Sequence, residues 1–235
     1  MKLSILIPTF NEERTIEQLL RHIAAISFPI EVELVVVDDQ SQDHTFSIER
    51  RFQETASRIP VQTFRNSVNQ GKGASIATGL QHATGDVVIV QDGDLEYHPE
   101  EIPKLLAPFL AKEAEVIYGS RFLQRRWPAG MAWQNYLANR LLTWLANRLC
   151  RLRLTDAYTC YKLMPRDLLK ELTLEARGFE WEAEVTAKLG RRGVKIEEVP
   201  ISYHGRSRQE GKKIRPRDLL TGIQTLVRYR FRRSP

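Results

Sequence analysis

No window of this chain approaches the eighteen or so consecutive apolar residues that a bilayer-spanning helix needs, so the sequence offers no membrane span. Cysteine is scarce. Cys150 and Cys160 are the only two, they lack the C-x-x-C spacing of a zinc or redox site, and five scattered histidines supply no substitute ligand pattern. The expectation is two reduced thiols in a cytoplasmic protein. The N-terminus, MKLSILIPTFNEE, has too short an apolar run for a signal-peptide core and reads as a first strand. No repeat or low-complexity tract is present. At 235 residues, 42% apolar and 27% charged, the chain is long and apolar enough to bury a core unaided.

The net charge of +6 is unevenly placed. From Gly205 to Pro235, ten Lys or Arg face only Glu210 and Asp218. Such a tail implies an anionic partner or plain solvation. Nucleic acid fits worst, because the basic residues are confined to one loop and tail beside an acidic crevice.

Apolar runs alternate with helical periodicity. LSILIPT (3–9) is followed by a helix in which Ile16, Leu19, Leu20, Ile23 and Ile26 recur on one face, with Asn11 as its expected cap. VELVVVDD (32–39) leads into a helix through Glu54. VQTFRN (61–66) leads into GKGASIATGLQHA (71–83). GDVVIVQDGD (85–94) and AEVIYGSRF (114–122) are two further strands. Strands that are apolar throughout, alternating with helices, predict an α/β fold: a mostly parallel, Rossmann-like sheet with helices on both faces. Less regular alternation after residue 120 suggests an acceptor-side half grafted on the same sheet. The division expected is one domain over 1–235, with a nucleotide-sugar-binding half (1–122), an acceptor half (123–213) and a basic amphipathic helix (214–235).

In open α/β sheets, ligands bind beyond the carboxyl ends of the strands. PTFNE, DDQSQD and DGDLE each follow such an end, so three acidic loops are expected to converge on one crevice. In VIVQDGDLEYHPE (88–100), Asp92, Asp94 and Glu96 stand at alternate positions, and alternate residues of an extended segment face one side. Oxygen-only ligands of this kind suit Mg²⁺ or Mn²⁺ with substrate phosphates. The other reading is a solvated acidic turn ahead of the next helix.

In order along the chain, PTFNEE, VVVDDQSQD, NQGKGASIATGLQHATGD, VIVQDGDLEYHPEEIPKLL, VIYGSRF, TDAYTCYKLMPRDLL, FEWEAEV and EVPISYHGRSRQEGKK resemble the inverting family 2 glycosyltransferases with the A-type fold. The likeness is greatest to the dolichyl-phosphate mannose synthase-like branch. It implies transfer of a hexose from a nucleotide sugar, of the GDP-mannose or UDP-glucose type, to a polyprenyl phosphate such as dolichyl or undecaprenyl phosphate.

Carried over by residue, the resemblance assigns the nucleotide to Pro8, Phe10 and Glu12, with Phe10 where tyrosine is commoner, and the base to Asp39. The residues alone leave Asp39 equally suited to cap the following helix. Asp92, Asp94 and Glu96 are the implied metal ligands, with Asp94 catalytic through the metal and Asp92 also on the nucleotide side. Lys72, in QGKG, either reaches the donor phosphates or only marks a helix entry. Arg121 matches the arginine that binds the acceptor phosphate, a geometry in which a guanidinium makes two parallel bonds. The branch's second arginine falls near Gln134 or Asn135, with Asn139 one turn on. Arg206, Arg208, Lys212 and Lys213 match a basic loop that reaches over the phosphates, and Asp156 takes a loop-structuring place.

A phosphate monoester with a second pKa of about 6 is already a nucleophilic anion near neutral pH, so a lipid phosphate needs positioning more than deprotonation. A saccharide or other hydroxyl acceptor would need a base. FEWEAE offers Glu180, Glu182 and Glu184, with Glu180 and Glu184 on one helix face and Glu182 pointing elsewhere. A nucleotidyltransferase is the more distant alternative. The tail helix places Leu219, Leu220, Ile223, Leu226 and Val227 on one stripe, which suits either a membrane surface or the protein's own core. Where branch members continue into transmembrane helices, the expectation here is peripheral contact with the cytoplasmic face or help from a separate membrane subunit.

Overall fold

The computed structural model describes residues 1–56, 58–206 and 216–231. Seven strands form one sheet: β1 (Lys2–Thr9), β2 (Glu31–Asp38), β3 (Val61–Arg65), β4 (Val87–Val90), β5 (Val116–Ser120), β6 (Lys162–Pro165) and β7 (Ile196–Pro200). Their order is β3-β2-β1-β4-β6-β5-β7. Neighbours run parallel except where β6 lies antiparallel between β4 and β5. Strands from before and after residue 122 therefore share one sheet. Leu34, Val35, Val36 and Val37 are all at most 1% exposed, and since successive residues point to opposite faces, both faces of β2 are covered.

The covering helices are α1 (Ile16–Ala25), α2 (Thr45–Thr55), α3 (Lys72–His82), α4 (Ile102–Leu110), α5 (Arg121–Gln124), α6 (Trp133–Cys150), α7 (Arg166–Glu171), α8 (Trp181–Arg191) and α9 (Pro216–Phe231). The periodicity expected for α1 is met, since Ile16, Leu19, Leu20 and Ile23 form its buried face. In α3, a Cβ at Gly79 would already lie 3.4 Å from Val37 Cγ2, so the small residue sets how closely this helix approaches the sheet. Both cysteines are free and buried.

Three local expectations are corrected. Asn11 does not cap α1, which begins after Thr15; with φ +53, Asn11 instead accepts a bond from Gln42 N–H and ties two loops together. The DGD segment is not extended: β4 ends at Val90, and the chain turns through residues 93 and 94 into Leu95 at φ +58. The apolar stripe of α9 is split. Leu226 and Tyr229 are buried, α9 packs on α6 and α8, and Gly222 leaves no room for a Cβ against the Tyr158 hydroxyl, whereas Leu220 and Val227 point outward.

Among the described residues no helix is long and apolar enough to cross a membrane. The long exposed apolar stripe is on α6. Trp133, Leu137, Leu141 and Trp144 follow one another at helical spacing and are 59%, 54%, 45% and 62% exposed.

Candidate active site

Parallel pairing puts the carboxyl ends of β1, β2, β3 and β4 at one edge of the sheet, and the loops that follow them meet there. Asp39, just past β2, is buried and accepts bonds from the N–H groups of Gln70 (3.0 Å) and Gly71 (2.7 Å) and from Asn66 Nδ2 (2.7 Å). It shapes the QGKG loop and does not cap α2, whose N-cap is His44. Gly71 is required by that loop, because φ is +98 and a Cβ would lie 2.5 Å from Arg177 O. Pro8 sits in β1 opposite Val37, and Phe10 follows the strand half-buried.

The loop so shaped aims Lys72 inward. Its Nζ lies 2.6 Å from Asp92 Oδ1 and 3.3 Å from Glu182 Oε1, beside the rings of Phe179 and Trp181. Burial alone would lower the Lys72 pKa, but the Asp92 carboxylate, with Cys160 and Glu182 behind it, holds the ammonium well above its usual range. Lys72 is thus a buried counter-ion to the first aspartate of DGD.

The second aspartate has a different partner. Arg206 Nη2 lies 2.8 Å from Asp94 Oδ2 and 3.3 Å from Glu12 Oε1, while Nη1 lies 2.9 Å from Glu12 Oε2. The Arg206 backbone N–H bonds Glu96 Oε1 at 2.8 Å, and Tyr203 Oη donates to Glu96 Oε2 at 2.6 Å. Arg206 Nε is buried without a hydrogen-bond partner. Burial, then the nearby charges of Asp92 and Glu96, push Asp94 up to about 7 against the pull of Arg206. Glu12, Asp92, Asp94, Glu96 and Arg206 are therefore brought together, with Arg206 among the carboxylates. Arg208, Lys212 and Lys213 lie outside the described residues.

Across the Tyr203 ring stands a second cluster. Arg121, at the start of α5 and 6% exposed, holds Asp156 through Nε (2.7 Å) and Nη2 (2.8 Å). It also donates from Nη2 to Tyr158 O (2.9 Å) and Asn139 Oδ1 (3.2 Å), and its guanidinium carbon lies 5.3 Å from the Tyr203 ring centroid. Asn139 comes from α6, the helix with the exposed stripe. Asp156 is fully buried and its backbone N–H is anchored by Glu198, so the loop-structuring place given to it is what its contacts provide.

The structure separates the three carboxylates of FEWEAE. Glu180 is the N-cap residue of α8 and turns back to Gly178 N–H, while Glu184 is consumed by the N–H groups of Glu175 and Ala176 and by Lys188. Glu182 is the carboxylate that faces the site. Tyr203 was also missed: one aromatic after a strand carries no periodic signal, and its role exists only because Glu96 and Arg121 flank it.

A family model described as "Glycosyl transferase family 2" matches residues 4–173. A dolichol-phosphate mannosyltransferase of Pyrococcus furiosus is 30% identical over 217 residues, which are 90% of this chain and 59% of that protein. A low-salt glycan biosynthesis hexosyltransferase of Haloferax volcanii is 28% identical, covering 87% of this chain and 48% of its own. The chain thus spans about half to three-fifths of the length of these two relatives. Glucosyl-3-phosphoglycerate synthase of Mycobacterium tuberculosis, crystallised with Mn²⁺, UDP-glucose and phosphoglyceric acid, superimposes with a TM-score of 0.70 at 20% identity, over 97% of this chain and 78% of that one. The shared fold is the A-type sheet expected from the sequence.

Proposed function

The chain belongs to glycosyl transferase family 2, and on that premise we propose that it moves a hexose, with inversion and with a divalent cation, from a nucleotide sugar of the GDP-mannose or UDP-glucose type to a polyprenyl phosphate. The whole chain acts as one catalytic unit in this reading. The observation that carries it is the adjacency of two clusters, Asp92, Asp94 and Glu96 on one side of Tyr203 and Arg121 with Asn139 on the other, below a helix whose outer face is Trp and Leu.

Asp92, Asp94 and Glu96 would hold Mg²⁺ or Mn²⁺. Their oxygens are the hard donors such ions prefer, and they stand close enough together that a cation's charge, here supplied by Arg206, is needed among them. When bound, the ion supplies Lewis-acid stabilisation of the departing nucleoside diphosphate. The chain's own side chains do the rest. Pro8, Phe10, Glu12 and Asp39 form the nucleotide end, and Lys72 fixes Asp92. Arg121, held rigid by Asp156, supplies its positive charge to the acceptor phosphate.

The relative in Pyrococcus furiosus supports a lipid acceptor by its name. The stripe of α6 supports it physically: Trp133, Leu137, Leu141 and Trp144, flanked by Arg140 and Arg148, suit an anionic cytoplasmic leaflet. This moves the proposed membrane contact from α9 to α6. A second reading, transfer to a hydroxyl, is favoured by Glu182, the one FEWEAE carboxylate that faces the site. Labelled GDP- and UDP-sugars incubated with a short polyprenyl phosphate separate the two: label extracted into organic solvent supports the lipid acceptor, and label kept in water on an added saccharide supports the hydroxyl.

A further inference from the structure

Arg206 is more deeply engaged than a residue waiting for substrate phosphates. Its side chain is 15% exposed, and it makes two bonds to Glu12 and one to Asp94, while its own backbone N–H fastens Glu96. One residue thus holds three carboxylates from two loops. Among the described residues no three acidic, His or Cys side chains are gathered as a ready cation cage, and Asp94 Oδ2 faces the Arg206 guanidinium at 2.8 Å.

We infer that Arg206 is the resident counter-ion of the carboxylate cluster, and that cation and guanidinium occupy it in exchange. The inference rests on the metal reading above and adds a residue role to it. Two opposite requirements follow. Without a cation, Arg206 keeps Glu12, Asp94 and Glu96 from repelling one another in a buried place. With one, the bond that Arg206 Nη2 donates to Asp94 Oδ2 must break, so the cation alone binds against a competitor inside the chain. The freed guanidinium then stands beside the cation, where a diphosphate brings the negative charge that a displaced arginine pairs with. Cation and nucleoside diphosphate should therefore bind cooperatively, and Arg206 should be the source of much of that coupling.

The test is titration of Mn²⁺ into the protein, followed by loss of the free-ion paramagnetic resonance signal, with and without GDP or UDP. Arg206→Met is expected to bind Mn²⁺ alone at least about tenfold more tightly than the wild type, a difference of one unit in log Kd. The enhancement by nucleoside diphosphate should shrink by a similar factor, and Arg206→Lys should fall between. In EDTA, Arg206→Met should melt several degrees lower than the wild type, and Mn²⁺ should close that gap. Should Arg206→Met fail to fold, Arg206→Lys alone decides by the same criterion. Mn²⁺ affinity equal to or weaker than wild type in both variants overturns the exchange while leaving the metal reading intact. If no protein binds Mn²⁺ even with nucleoside diphosphate, the metal reading itself fails.

Discussion

Lys72 Nζ and Asp92 Oδ1 are 2.6 Å apart in a half-buried ion pair that joins the first residue of α3 to the loop after β4. Removing one partner strands the other's charge. Lys72→Met should therefore cost about 1–3 kcal/mol of stability, and Lys72→Met with Asp92→Asn should recover a large part of it. Urea denaturation of the two single variants and the double variant reads the coupling, and additive losses would show that the pair is not coupled.

Arg121 and Asp156 form the second buried pair, with two guanidinium nitrogens on one carboxylate. Asp156→Ala should destabilise by about 3–5 kcal/mol. Arg121→Lys keeps the charge and loses the fork, so it should fold yet raise the KM for the lipid phosphate with little change in the KM for the nucleotide sugar. Steady-state kinetics against each substrate checks this, and equal effects on both would remove Arg121 from the acceptor side.

Glu49, fully buried on α2, takes a bond from Thr9 Oγ1 while its Oε2 has no partner. Burial pushes its pKa up from 4.5 to about 8, helped by the charges of Asp38 and Asp43. Between those values the folded state holds a proton that the unfolded state has released, so stability from this group is greatest at the acid end and falls as pH rises toward 8. The slope is at most about 1.4 kcal/mol per pH unit. Glu49→Gln should flatten that fall, which denaturation at pH 5, 6.5 and 8 would reveal as a growing advantage over the wild type.

On α6, Trp133→Ser with Trp144→Ser should leave the fold intact, since both rings are more than half exposed. The pair of substitutions should weaken sedimentation with anionic vesicles about tenfold or more. Unchanged vesicle binding would end the claim that this face meets lipid.

Much of this architecture can be read from the sequence because β1, β2 and β4 are continuous apolar runs bounded by polar loops, a pattern that only a covered sheet satisfies. β6 was illegible for the opposite reason. Its four residues begin with Lys162, whose burial depends on the rings of Tyr118 and Trp181, groups far away in the chain. At the site, residue identity was a better guide than local geometry. The DGD carboxylates lie near one another, yet the turn through residues 93 and 94 lets one face Lys72 and the other Arg206. Spacing alone could separate Glu182 from Glu180 and Glu184 but could not say which faces the site, because that depends on Lys72, more than a hundred residues away in the chain.

The most direct test is release of nucleoside diphosphate from a panel of GDP- and UDP-sugars, with Mn²⁺ or EDTA and with or without a short polyprenyl phosphate, in the wild type and in Asp94→Asn. Release that requires both the cation and the lipid phosphate, and falls at least about a hundredfold in Asp94→Asn, is the predicted result. Release that persists in EDTA or in Asp94→Asn, or that is indifferent to the lipid phosphate, would contradict it.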